Sequence, residues 1–180
     1  SYILNIGRVD LIPSKKALTV AEVNMLIERQ DDCLDKLLSP LRCDYDYILV
    51  DTGPSLGSLT INAFTAADGI MIPFDAELFA LVGLKELTDT ISKIKQNLNP
   101  KVEITGIFFT KCSKRTTLYR EISEQVHAAF GHLHIFESRI PATVKVGSAN
   151  SKGLSVMELD AKNEAAIAYM NLAKEVLEYA

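Results

Sequence analysis

Apolar residues recur along this chain in two rhythms: short unbroken runs of strand length, and longer stretches at helical spacing. The run Tyr47-Ile48-Leu49-Val50 ends in Asp51 and leads into Gly53, Pro54 and Gly57. An apolar run bounded by turn residues predicts a central parallel strand over 46–51, covered on both faces. Similar runs predict strands over 69–73 and 102–110, and a shorter one over 135–140 that ends at Pro141. Residues 2–12 alternate weakly and read as a strand closing at Ile12-Pro13.

Between these runs the period lengthens. Val20, Val23, Leu26, Ile27, Leu34, Leu37 and Leu38 predict one helix over 20–39, with Thr19 as N-cap, Glu22 completing a capping box and Pro40 as the stop. A helix is expected near 57–67. Leu81, Leu84, Leu87, Ile91, Ile94 and Leu98 mark a long amphipathic helix over 79–97 that Asn99-Pro100 ends. Leu118, Ile122, Val126 and Ala129 mark another over 116–130, and Asp160 is the expected cap of a last helix over 161–179. Strands alternating with helices of this length predict βαβ units: an α/β fold, mainly a parallel sheet flanked by helices.

The length of 180 residues suits one domain, and 48% hydrophobic residues describe a globular chain. No apolar run is long enough for a transmembrane helix. Cys33, Cys43 and Cys112 are odd in number and lack C-x-x-C spacing, which fits reduced thiols in a cytoplasm. His132 and His134 have no Cys or carboxylate near them at metal spacing. The net charge is −4, but residues 111–152 hold seven basic side chains (Lys111, Lys114, Arg115, Arg120, Arg139, Lys145, Lys152) against Glu121, Glu124 and Glu137. A basic face on an acidic protein binds a polyanion locally; chance clustering on a solvated surface gives the same count.

Ligands in open α/β sheets bind at the carboxyl ends of strands. Asp51 stands at such an end, where it faces a magnesium-nucleotide or simply caps the helix that follows. Ser55 lies in Gly53-Pro54-Ser55-Leu56-Gly57, a G-x-S-x-G pattern between strand and helix, so a nucleophile elbow is a second reading.

The words YDYILVDTGPSLGSLTINAFTAAD (45–68), IMIPFDAELFALVGLKEL (70–87), ITGIFFTKCSKRTTL (104–118), IPATVKVGSANSKG (140–153) and AAIAYMNLAKEV (165–176) decide between these. In order and spacing they resemble the ParA/Soj group of partition ATPases, among the MinD-like deviant P-loop ATPases. The resemblance implies a P-loop NTPase-like fold and a single ParA-like ATPase domain over 1–180. It implies ATP and Mg²⁺ as cofactors, a homodimer that binds non-specific DNA, and a ParB-like centromere-binding partner that stimulates hydrolysis. The implied setting is the bacterial cytoplasm, on the nucleoid.

The family's phosphate loop, K-G-G-x-G-K-T-T, has no counterpart in these residues, where Gly7 alone precedes residue 50. The fold is therefore expected to be truncated on its N-terminal side: a fragment, inactive alone as an ATPase.

Carried over residue by residue, the resemblance makes Asp51 the Walker B carboxylate that holds Mg²⁺ through a water. Thr52, Gly53, Pro54 and Gly57 become the switch, with Gly53 replacing the first of two usual prolines. Thr110, Lys111, Pro141, Ala142 and Thr143 would flank the adenine base. Arg115 and Lys145 would contact DNA phosphates, lysine standing at 145 where arginine is common. A non-catalytic scaffold that keeps partner surfaces is the alternative. A MinD-like membrane regulator is disfavoured, because the end from Ala173 to Ala180 is net negative and lacks bulky apolar residues.

Overall fold

The computed structural model describes residues 3–77, 80–113 and 116–179. The chain divides into two compact units, Ser1–Ala67 and Asp68–Ala180.

The first unit opens with a hairpin rather than one strand. Strands β1 (Leu4–Ile6) and β2 (Val9–Leu11) pair antiparallel, Ile6 opposite Val9. Gly7, at φ 67°, begins the two-residue turn, a conformation glycine adopts without steric cost. Asn5 donates to the Asp10 carboxylate across the hairpin (2.8 Å).

The single helix expected over 20–39 is two: α1 (Leu18–Glu28) and α2 (Cys33–Leu38). Arg29 takes the left-handed conformation, φ 53°, and polar residues 30–32 make the break. Asn62 of α3 (Ser58–Ala66) holds it together. Its amide group donates to the carbonyls of Gln30 (2.8 Å) and Ser58 (3.0 Å), and its oxygen accepts from the Leu34 N–H (3.2 Å). Thr19 lies inside α1, which has no side-chain cap, and Glu22 lies against Gly57 instead. The buried core of this unit is Leu38, Ala63, Phe64 and Ala66.

The run 46–51 forms no ladder among the described residues, contrary to expectation. Tyr47 and Val50 are exposed, and Leu49 is 89% exposed. A strand is completed by neighbours that pair with its N–H and C=O groups. No described strand pairs with this run, so its apolarity alone makes no sheet.

The second unit is a three-stranded parallel sheet in the order β3 (Gly69–Asp75), β4 (Glu103–Cys112), β5 (Ile135–Pro141). Helix α4 (Ala80–Asn97) connects the first pair and α5 (Thr117–Phe130) the second. The start of α4 expected at 79 lies outside the described residues. Successive strand side chains point to opposite faces, and Phe108 and Phe109 illustrate it. Phe109 meets Phe74 and, from α5, Tyr119 and His127. Phe108 packs with Phe136, Ile140 and Leu172 of α8 (Glu164–Tyr179). Both faces are thus covered by helices. Gly106 is required here, since a Cβ would stand 2.6 Å from the Phe136 ring.

Two short helices, α6 (Val144–Ser151) and α7 (Val156–Asp160), precede α8. Their apolar positions are too few to show a period, so the sequence pattern did not reveal them. Thr143 caps α6, and Ser155 with Glu158 forms a capping box on α7. Asp160 ends α7 rather than capping the last helix; Asn163 accepts from the Ala165 N–H at the start of α8 (3.0 Å).

Candidate nucleotide site

Three parallel strands end side by side at Asp75, Cys112 and Pro141. Cys112 pairs with Pro141, and the Ala142 N–H donates to the Cys112 carbonyl (3.2 Å). Of the two turns expected to frame a base, Thr110 and Lys111 lie inside β4, and the end of that strand at Cys112 is joined to the 141–143 turn at the carboxyl edge of the sheet. Thr143 is spent on the N-cap of α6, accepting from the Lys145 N–H (3.2 Å).

Lys111 has φ 49°, uncommon for a side chain outside turns. Its ammonium reaches the Asp75 carboxylate (2.8 Å), and that hydrogen bond, then the carboxylate's charge, hold it above the ordinary lysine pKa. Asp75 was missed by sequence reasoning. Its signal was legible: Ile72-Pro73-Phe74-Asp75 is, like Ile48-Leu49-Val50-Asp51, an apolar run that ends in a carboxylate.

Behind the edge, Arg139 lies 4.6 Å over the Phe109 ring. Burial pushes the Tyr119 phenol up to about 12, and a hydrogen bond with Cys112 adds to it. Each histidine ring stacks on an aromatic neighbour: His127 on Phe109, His132 on Phe130, His134 on Tyr179.

Asp51, Thr52, Gly53 and Pro54 belong to the first unit and are exposed. Gly57 is the N-cap residue of α3 at φ −84°, a value open to any residue. A Cβ there would stand 2.5 Å from the Glu22 carboxylate, the far end of a flexible side chain that can move aside. Ser55 contributes its carbonyl, which accepts from the Thr60 hydroxyl (2.6 Å). An exposed carboxylate such as Asp51 suits Mg²⁺, which keeps most of its waters and takes one or two carboxylates besides phosphate oxygens. The donor set present fits one corner of such a site.

The basic cluster is less open than its count suggests. Lys111 pairs with Asp75 and Lys145 with Asp160 (3.5 Å), both acids from outside the cluster. Arg139 is turned onto backbone carbonyls. Arg120 and Lys152 are exposed, and Lys114 and Arg115 lie outside the described residues.

A parallel sheet covered on both faces, with strand ends gathered at one edge, defines an α/β class of protein in which ligands bind at the carboxyl ends of the strands. Residues 2–104 match the AAA domain family. The chain is 39% identical over 167 residues to the chromosome-partitioning ATPase Soj of Treponema pallidum, covering 92% of this chain and 66% of that one. It is 37% identical over 172 residues to the chromosome partitioning protein ParA of Caulobacter vibrioides, covering 94% and 64%. Among solved structures it resembles cobyrinic acid a,c-diamide synthase from Mycobacterium smegmatis, solved with an ATP analog and magnesium. The TM-score is 0.82, the identity 28%, and the match covers 99% of this chain and 66% of that one. The chain belongs to the ParA/Soj family of P-loop ATPases and spans just under two-thirds of the length of these relatives. No described helix is long and apolar enough to cross a membrane.

Proposed function

We propose that this chain is the larger part of a partition ATPase that segregates DNA. The observation that carries the reading is the end of β4 joined through Cys112 to the 141–143 turn after β5, in a chain of the ParA/Soj family. Thr110, Lys111, Pro141, Ala142 and Thr143 would frame the adenine of ATP. Lys111, held by Asp75, would keep its turn in place as the base enters.

Asp51 would orient a water in the Mg²⁺ shell, and residues 52–57 would carry the change between ATP and ADP states. When bound, Mg²⁺ neutralises charge developing on the phosphates during transfer to water. The run 47–50 would find its ladder partner in a strand bearing the phosphate loop, supplied by a longer gene product. All 180 residues would then share one domain.

In the ATP-bound homodimer, Arg115 and Lys145 would contact DNA phosphates without reading bases. Lys145 would exchange Asp160 for a phosphate, so binding should weaken steeply with salt. A ParB-like partner would stimulate hydrolysis and release the DNA, and the protein would work on the bacterial nucleoid.

The test uses the full-length gene product. Asp51→Ala should abolish ATP hydrolysis, and joint charge reversal at Arg115 and Lys145 should abolish DNA binding while leaving ATP binding intact. Undiminished DNA binding at low salt would overturn the DNA surface. Failure of the wild type to bind ATP would leave the scaffold reading in its place.

A further inference from the structure

β5 leaves the regular ladder between Ile135 and Arg139, taking four steps where β4 takes two. Such a bulge leaves backbone groups without ladder partners and bends the strand. Here side chains of opposite charge take up both kinds of group. Glu175 of α8 accepts from the backbone N–H of Glu137 (2.7 Å) and of Ser138 (2.9 Å), and the Ser138 hydroxyl also donates to it. The Arg139 guanidinium donates to the carbonyls of Phe136 and Ser138, the latter at 3.4 Å, and lies over Phe109. Successive N–H groups turned toward one anion form a nest. This nest carries its anion built in, half-buried under α8.

The bulge lies directly ahead of the turn at 141–143, which β4 holds through Cys112. On the β4 side a second irregularity, between Phe109 and Cys112, holds Lys111. The Phe109–Arg139 pair is thus the one point of register between two distortions. A slip there re-aims every following side chain.

We infer that Glu175 and Arg139 are positioning residues for the nucleotide base: together they clamp the β5 bulge and so set where the 141–143 turn stands. The inference rests on assigning that turn to the adenine, as proposed above. Neither residue touches the base.

The experiment uses the full-length gene product. ATP, GTP and inorganic triphosphate compete against a fluorescent ATP analogue, for the wild type, Glu175→Ala and Glu175→Gln. Glu175→Ala should weaken ATP binding roughly tenfold, the low end of what losing an outer support costs a ligand site. The preference for ATP over GTP should narrow, and triphosphate affinity should stay unchanged. Added formate, which refills the nest, should restore ATP affinity to Glu175→Ala. If that variant does not fold, Glu175→Gln keeps the size and one acceptor, and should show a smaller loss of the same selectivity.

Variants that melt earlier yet keep wild-type affinity and base preference would overturn the clamp, leaving Glu175 as a fastener for α8. A wild type that binds ATP no better than triphosphate would instead overturn the base assignment, and the clamp with it.

Discussion

At the scale of single residues, Asn62 and Tyr119 do what their neighbours in the fold make possible. Asn62 is 2% exposed and answers two backbone groups that the break between α1 and α2 leaves open, the Gln30 carbonyl and the Leu34 N–H, besides the Ser58 carbonyl of its own helix. Asn62→Ala should therefore lower stability by about 2 kcal/mol or more, because buried polar groups left unpaired cost about 1–3 kcal/mol each; urea unfolding measures it. Tyr119 gives a pH-dependent signature. Its phenol is held up to about 12 in the fold, against 10.0 for the ordinary group, so the unfolded chain loses that proton first. Its contribution to stability is whole below pH 10 and drains away between pH 10 and 12. Tyr119→Phe should flatten the fall in stability across that window, read by denaturant midpoints at successive pH values. Neither role was legible in the sequence, since Asn62 depends on partners 28 and 32 residues away and Tyr119 on its burial in the fold.

At the scale of elements, long helices and paired strands were legible, whereas caps and short helices were not. α4, α5 and β3 to β5 lie where the periodicity put them, because each buries a face large enough to leave a repeating trace. Within α5 the trace is imperfect: Ile122 and Val126 are buried, Leu118 is exposed, and Phe130 fills the last inward place. The β4–β5 contact depends on Gly106, against which the Phe136 ring and the His134 carbonyl close. Gly106→Ala should lower stability by about 1–3 kcal/mol, the usual cost of overpacking, and shift the melting transition down. Ser155→Ala removes the capping box of α7 and should cost about 1 kcal/mol. A melting temperature unchanged in that variant would mean that packing of Val156 against Ala165 and Ala166, not the cap, holds α7.

At the scale of the whole molecule, burial is uneven. None of the residues of α1 is buried, and Val20, Leu26 and Ile27 stand in solvent together with the hairpin's Ile6 and Val9. In the second unit Val102, Ile107, Phe109, Val126 and Phe136 are wholly enclosed. Amide hydrogen exchange should follow this contrast, with slow exchange in β3 to β5, the helices over them and the buried α3, and fast exchange in α1 and residues 47–50. In the full-length gene product the amides of 47–50 should become slow, if a phosphate-loop strand pairs there. Fast exchange at 47–50 in that longer protein would remove the proposed ladder.

By itself the sequence determined the alternation of strands and helices in the second unit and the family words, because periodicity and local motifs are written within a few residues. Only the tertiary structure decided that 46–51 forms no ladder among the described residues, since a strand needs neighbours that its own residues do not specify. The tertiary structure also decided which of the seven basic residues already have partners. Asp75, Asp160 and the carbonyls of β5 claim three of them from outside the basic run or from within the fold. It alone revealed the clamp on β5, where Glu175 meets Glu137 and Ser138 across 37 or 38 residues of chain. Charges and backbone groups satisfy one another across space, and such pairings leave no period for a linear reading to find.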